Sequence, residues 1–126
     1  MLIVDAANVI GSRPDGWWRD RVGAADRFVA RVKDATTTGV LSGPVTVVLE
    51  GRARAGHPAG TDPASGVAVV HAPASGDDAI AGLAAVHGAD AVVVTADRGL
   101  GARVTAVGGG IVGPRWLLDR LDRLDR

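Results

Sequence analysis

The chain of 126 residues contains no cysteine, so disulfide staples, thiolate metal sites and cysteine nucleophiles are excluded. Its three histidines, His57, His71 and His87, are scattered, which argues against a zinc centre. Acidic and basic residues balance at 14 each. That removes whole-protein electrostatic steering as a basis for function and leaves only local patches. Lys33 is the single lysine and Glu50 the single glutamate; with abundant Ala, Gly and Val, this skew reads as genomic base-composition bias and carries no function. No apolar run approaches the roughly 20 residues that cross a bilayer. The short apolar run ahead of Asp5 lacks a basic leader, so a soluble cytoplasmic protein is the expectation.

What is present suffices for one domain over residues 1–126, with 47% hydrophobic residues to build a core. Leu2–Val4 is all apolar, as a buried parallel strand requires, and Gly11, Pro14 and Asp15-Gly16 mark Ala6–Gly16 as a loop. Val22, Ala25, Phe28, Val29 and Val32 recur at helical spacing, predicting a first helix from Trp17 to about Thr37. Strands are expected at Val45–Leu49 and Val67–Val70, with a mobile Gly/Pro/Ala-rich loop, Gly51–Gly66, between them. Ser75 can cap a helix running through Ile80, Leu83, Ala84 and His87, with Asp78 closing a capping box. A strand at Ala91–Thr95, a short helix at Leu100–Val107, a short strand at Ile111–Val112 and a last helix at Pro114–Leu124 complete the order. This βα alternation predicts an α/β fold, a three-layer α/β/α sandwich around a mostly parallel sheet of about five strands.

Three acidic motifs fall where a strand ends or a helix begins: Asp5 with Asn8, Asp77-Asp78, and Asp97. A parallel sheet aligns the carboxyl ends of its strands, so these distant acids are expected along one edge. Carboxylates brought within a few ångströms repel one another unless a proton or a cation is bound. Oxygen donors without Cys or clustered His favour Mg²⁺ or Mn²⁺, which bind phosphate oxygens and activate water for attack on a phosphodiester.

Val4-Asp5-Ala6-Ala7-Asn8-Val9-Ile10 resembles the opening strand motif of PIN-like ribonucleases of the NYN type, in their YacP-like bacterial branch. Ser75-Gly76-Asp77-Asp78-Ala79-Ile80 is similar to the second acidic motif of that family, with Asp77 the better match and Asp78 the second choice. Val93-Val94-Thr95-Ala96-Asp97-Arg98 resembles the third. The match covers most of the chain in the right order. It implies a Rossmann-like sheet, Mg²⁺ or Mn²⁺ held by Asp5, Asp77 and Asp97, and metal-dependent endoribonuclease activity leaving a 5′-phosphate. Asn8 and Asp78 would orient ligands or water. PIN-like domains often pair, so a homodimer fits the resemblance, although no residue pattern marks an interface. One departure is Gly99, which stands where many members carry a further acid. Either one metal is held firmly and a second only with substrate, or Asp78 supplies the missing ligand, or activity is weak or absent. Glu50 is a further contributor to weigh, positioning a water or bonding Asn8.

Each acid also has a structural reading, since Asp77, Asp78 and Asp97 suit helix N-termini by capping and dipole alone. Asn8 can simply bond the loop backbone. Asp5 is harder to explain that way, because an acid ending a central buried strand is costly to desolvate. Arg13, Arg52, Arg54 and Arg98 lie where they can meet RNA phosphates. Trp17-Trp18-Arg19 offers a base-stacking platform or, on the plainer reading, packing under the helix start; Trp116 reads as core. His57 is placed to touch substrate and His71 and His87 read as edge or surface residues. Arg115, Arg120, Arg123 and Arg126 alternate with Asp119, Asp122 and Asp125 as a solvated helix face. Two other functions stand beside the nuclease: a nucleotide or phosphate-ester hydrolase, and a degenerate domain binding RNA or protein. Ala7 opposes a phosphatase of the haloacid dehalogenase type, since it replaces the acid/base that chemistry needs.

Overall fold

Every residue of Leu2–Asp5 and of Val45–Leu49 is buried, because the two strands lie side by side in the middle of the sheet and are covered on both faces. The computed structural model describes residues 1–125. Strands β1 (Leu2–Asp5), β2 (Val45–Leu49), β3 (Gly60–Thr61), β4 (Ala68–His71), β5 (Val92–Val94) and β6 (Gly110–Val112) form one sheet in the order β3-β4-β2-β1-β5-β6. All pairings are parallel except β3 with β4. The helices are α1 (Ala6–Gly11), α2 (Arg21–Thr37), α3 (Gly76–His87), α4 (Arg98–Ala106) and α5 (Pro114–Asp122).

Alternation along the strands divides the core in two. Leu2, Val4, Val45, Val47 and Val94 face Val9, Phe28, Val29, Val32, Leu117 and Leu121 of α1, α2 and α5. Ile3, Val48 and Val93 point the other way, onto Ile80, Ala84, Leu100 and Val104 of α3 and α4. Each fully buried Val, Leu or Ile contributes about 1.5–3 kcal/mol. The result is the expected three-layer α/β/α sandwich.

Several boundaries differ from the sequence reading. Ala6–Gly11 is a helix rather than a loop, because Asp5 caps it by accepting the Asn8 N–H at 3.4 Å. Trp17–Arg19 forms a separate 3-10 turn, and α2 starts only at Arg21, where the Asp20 carboxylate accepts the Gly23 N–H. The Gly51–Gly66 stretch is not structureless: Gly51–Gly56 is a 3-10 segment packed on α2, and Gly60–Thr61 adds a sixth strand antiparallel to β4. A Cβ on Gly56 would run into the Val22 carbonyl, so only glycine permits that approach. No capping box forms at α3, since Ser75 accepts from Asp77 N–H and the Asp78 side chain pairs elsewhere. Helix α4 begins earlier than read, at Arg98, and α5 gives way to a 3-10 turn at Arg123–Asp125. Arg126 lies outside the described residues.

Candidate active site

The strand order reverses between β1 and β5, which makes their carboxyl ends the crevice where open α/β sheets bind ligands. Asp5 ends β1 and is only 5% exposed. One carboxylate oxygen, Oδ1, takes the Asn8 N–H; the other, Oδ2, accepts the buried Thr95 hydroxyl at 2.9 Å. Burial pushes the Asp5 carboxyl up from its ordinary value; the Thr95 and Asn8 bonds pull it down, and the charges of Asp77 and Glu50 raise it further. Thr95 also accepts the Asp97 N–H at 3.1 Å, so one hydroxyl links the ends of both strands.

Asp97 is exposed and caps α4, its Oδ1 accepting the Leu100 N–H at 2.9 Å. Asp77 sits half-buried in the first turn of α3. Its carboxyl is likewise raised, first by burial and then by Asp97 and Glu50, against a lowering from Arg103. Glu50, just past β2, accepts the Gly76 N–H at 2.9 Å through Oε2. Gly76 allows this approach, since a Cβ there would stand 3.1 Å from the Glu50 carboxylate. Asp5, Glu50, Asp77 and Asp97 thus lie near one another on one sheet edge, close enough for the charges of Glu50 and Asp97 to act on Asp77. No three of the Asp, Glu or His side chains close into a preformed cation cage among the described residues.

Asn8 bonds neither Glu50 nor its own loop: its Oδ1 accepts the Ala96 N–H at 2.8 Å and ties α1 to the segment carrying Asp97. The Asn8 amide N–H₂ has no protein partner among the described residues. Asp78 lies one position from Asp77, but its carboxylate is ion-paired to Arg103 of α4 at 2.9 Å.

The arginines divide. Arg13 makes a two-pronged pair with Asp122 at 2.8 and 3.2 Å, and Arg54 donates to the carbonyls of Gly51 and Ala72. Both guanidiniums serve the fold. Arg52 and Arg98 are exposed and have no partner among the described residues. His57 is also structural: Lys33 donates to its Nε2 at 2.8 Å, its Nδ1–H donates to the Pro58 carbonyl, and its own carbonyl accepts from His71. Trp17 is half-buried with Arg21 over its ring at 5.4 Å, while Trp18 is 47% exposed and meets Trp17 edge-on. Trp116 is partly buried against the core, with Arg120 stacked on it at 3.8 Å.

The solved structure of a mutant of Rae1 (YacP) from Bacillus subtilis is similar to this chain, with a TM-score of 0.72 at 22% identity over 99% of this chain and 76% of that one. The chain has a YacP-like fold. No family model and no curated protein matches it. Among the described residues no helix is long and apolar enough to cross a membrane.

Two contributors carried only a weak sequence signal. Glu50 was visible as a lone glutamate at a strand end, without its Gly76 partner. Thr95 was visible as the hydroxyl of the third motif, without its link to Asp5.

Proposed function

We propose that the protein is a metal-dependent endoribonuclease acting at the edge formed by Asp5, Glu50, Asp77 and Asp97. The observation that carries this reading is the placement of the buried Asp5 carboxylate with Glu50, Asp77 and Asp97 at a topological switch point, where burial first and neighbouring acids second raise the carboxyls of Asp5 and Asp77. An arrangement that costs stability in the empty protein is relieved by a bound cation. The donor set is all oxygen, which suits Mg²⁺ or Mn²⁺. The open spacing suits an ion that keeps several waters and binds through one or two carboxylates, with substrate phosphate completing the shell.

Asp5, Asp77 and Asp97 would hold the metal, which when bound supplies an activated water and neutralises charge on the phosphodiester. Thr95 fixes the Asp5 carboxylate in one orientation, and Asn8 holds Ala96 so that Asp97 keeps its place beside Asp77. Glu50 adds a fourth negative group at the start of α3, with Oε1 left for a water. Arg52 and Arg98, unlike Arg13 and Arg54, are available to hold flanking phosphates. Cleavage leaving a 5′-phosphate on RNA in the cytoplasm belongs to this proposal.

A second reading, a domain that binds RNA without cutting it, is favoured by Gly99 in the further acidic position and by Asp78 being committed to Arg103. The test is cleavage of an end-labelled single-stranded RNA by wild type and Asp97→Asn in Mg²⁺, Mn²⁺ or EDTA. Asparagine caps a helix about as well as aspartate, so the variant keeps its fold. Metal-dependent internal cuts that vanish in Asp97→Asn support the nuclease. Bound RNA left intact under every metal supports the second reading.

A further inference from the structure

Beside the acids opens a groove of about 370 Å³, between α1, the start of α2 and the Gly51–Gly56 turn. Its volume falls within the range of about 300–1,000 Å³ usual for small-molecule sites. Ala7 and Ile10 give it an apolar floor, Trp17 and Arg21 form one wall, and Glu50 and Arg52 stand at the side nearest the acidic edge. Much of the remaining lining is short-chained, Ala24, Gly51, Ala53 and Ala74, which leaves room for a flat group. The wall carries an indole with a guanidinium over it at 5.4 Å, and these are the two kinds of planar surface on which unstacked bases pile. Arg52 is exposed and unpartnered among the described residues, a donor for a phosphate or a base edge. An apolar slot, a planar cationic wall and a free guanidinium next to a phosphate-handling edge match one nucleotide, base inward and phosphate toward the acids.

We propose that this groove is a nucleobase subsite, taking one unpaired base of the strand whose phosphate lies at the acidic edge. The proposal rests on the ribonuclease reading for where the phosphate sits. It adds that the substrate is single-stranded, because a paired base cannot enter the slot.

The base seat is tested without cleavage. Adenosine 5′-monophosphate has no internal phosphodiester, so Mg²⁺ can be present, and ribose 5-phosphate is the control without a base. In the full chain carrying Trp18→Phe and Trp116→Phe, Trp17 is the sole tryptophan reporter. The expected result is a saturable change in its fluorescence with adenosine 5′-monophosphate, none with ribose 5-phosphate, and affinity about tenfold weaker in Arg52→Ala. Should the two tryptophan replacements unfold the chain, calorimetry on wild type and Arg52→Ala reads the same difference, because Arg52 is exposed and has no hydrogen-bond or ion-pair partner among the described residues. An equal response to both ligands, or no saturable response to either, overturns the proposal. Saturable binding by a protein that cuts no RNA removes the ribonuclease reading and leaves the base seat standing. Internal cleavage without any nucleotide response at Trp17 does the reverse.

Discussion

Replacing Thr95 by valine keeps the shape of a side chain that is 2% exposed and removes one oxygen with two tasks. That oxygen donates to the Asp5 carboxylate at 2.9 Å and accepts the Asp97 N–H at 3.1 Å. A hydrogen bond to a charged group contributes about 1.5–3 kcal/mol, and a backbone N–H left unsatisfied costs roughly 1 kcal/mol more. Thr95→Val is therefore expected to destabilise the protein by about 2–4 kcal/mol. At roughly 4 °C per kcal/mol for a domain of this length, Tm falls on the order of 10 °C. The loss also depends on pH. The Thr95 bond favours the ionised Asp5, so removing it lifts an already raised carboxyl further. The deficit is full above the Asp5 titration of both proteins and shrinks as pH falls through it, where both hold the protonated form. Urea unfolding at pH 7.5 and pH 4.5 measures both effects, with Thr95→Ser as the control that restores the hydroxyl. If the carboxylate serves a metal, loss of its orienting partner also weakens Mn²⁺ dependence by about 10–100-fold. A deficit below ~0.5 kcal/mol, or one equal at both pH values, refutes the account of Thr95.

Asp5→Asn is expected to lose RNA cleavage and yet be more stable than wild type in EDTA at pH 7.5. The carboxyl of Asp5 is raised in the fold, so the stability it lends is present in acid and lost as pH rises through its titration; the asparagine gain, read by thermal melts, disappears in acid. Mg²⁺ or Mn²⁺ is expected to stabilise the wild type, by about 2.7 kcal/mol at a hundredfold excess over Kd and read as a raised Tm, and to leave Asp77→Asn unmoved in the same melts. Gly76→Ala sets a Cβ 3.1 Å from the Glu50 carboxylate and is expected to cost about 1–3 kcal/mol. Glu50→Ala in the same chain should recover much of that in a double-mutant cycle of denaturant unfolding.

The framework of this fold was legible because its strands are buried on both faces and show as apolar runs such as Val45–Leu49, which the structure reproduces residue for residue. Helix α1 was hidden because its signal, Asp5 accepting from Asn8, is followed at once by Gly11, Pro14 and Asp15-Gly16. Strand β3 is two exposed residues with no apolar pattern; its identity comes from pairing with β4. The placement of the acids was readable from topology. What the arginines do was not, since Arg13 finds its partner 109 positions away and Arg54 bonds carbonyls that only the folded turn presents. Asp78 ranks second to Asp77 on motif spacing, and the approach of α4 with Arg103, which no local pattern shows, separates them further.

Capping and ligand binding are not rival readings of these acids, because each cap occupies only one carboxylate oxygen. Asp97 Oδ1 takes the Leu100 N–H and Glu50 Oε2 takes the Gly76 N–H, so Asp97 Oδ2 and Glu50 Oε1 have no bond among the described residues. The Asp77 carboxylate caps nothing, since the Ser75 hydroxyl accepts its N–H. Helices α1, α3 and α4 all begin at this edge, and their N-terminal dipoles offset part of the repulsion that four negative groups would otherwise generate. Anchoring one oxygen fixes the direction of the other, so each cap orients an acid at little entropic cost. A cluster kept only for capping would have no use for Asp77, whose raised carboxyl is a net cost to the empty protein. Asp77 is therefore the residue that most sharply separates the two readings: its raised carboxyl makes Asp77→Asn stabilising in EDTA on either one, but capping alone leaves the Mn²⁺-induced rise in Tm and any RNA cleavage unchanged, whereas a metal-binding edge loses both.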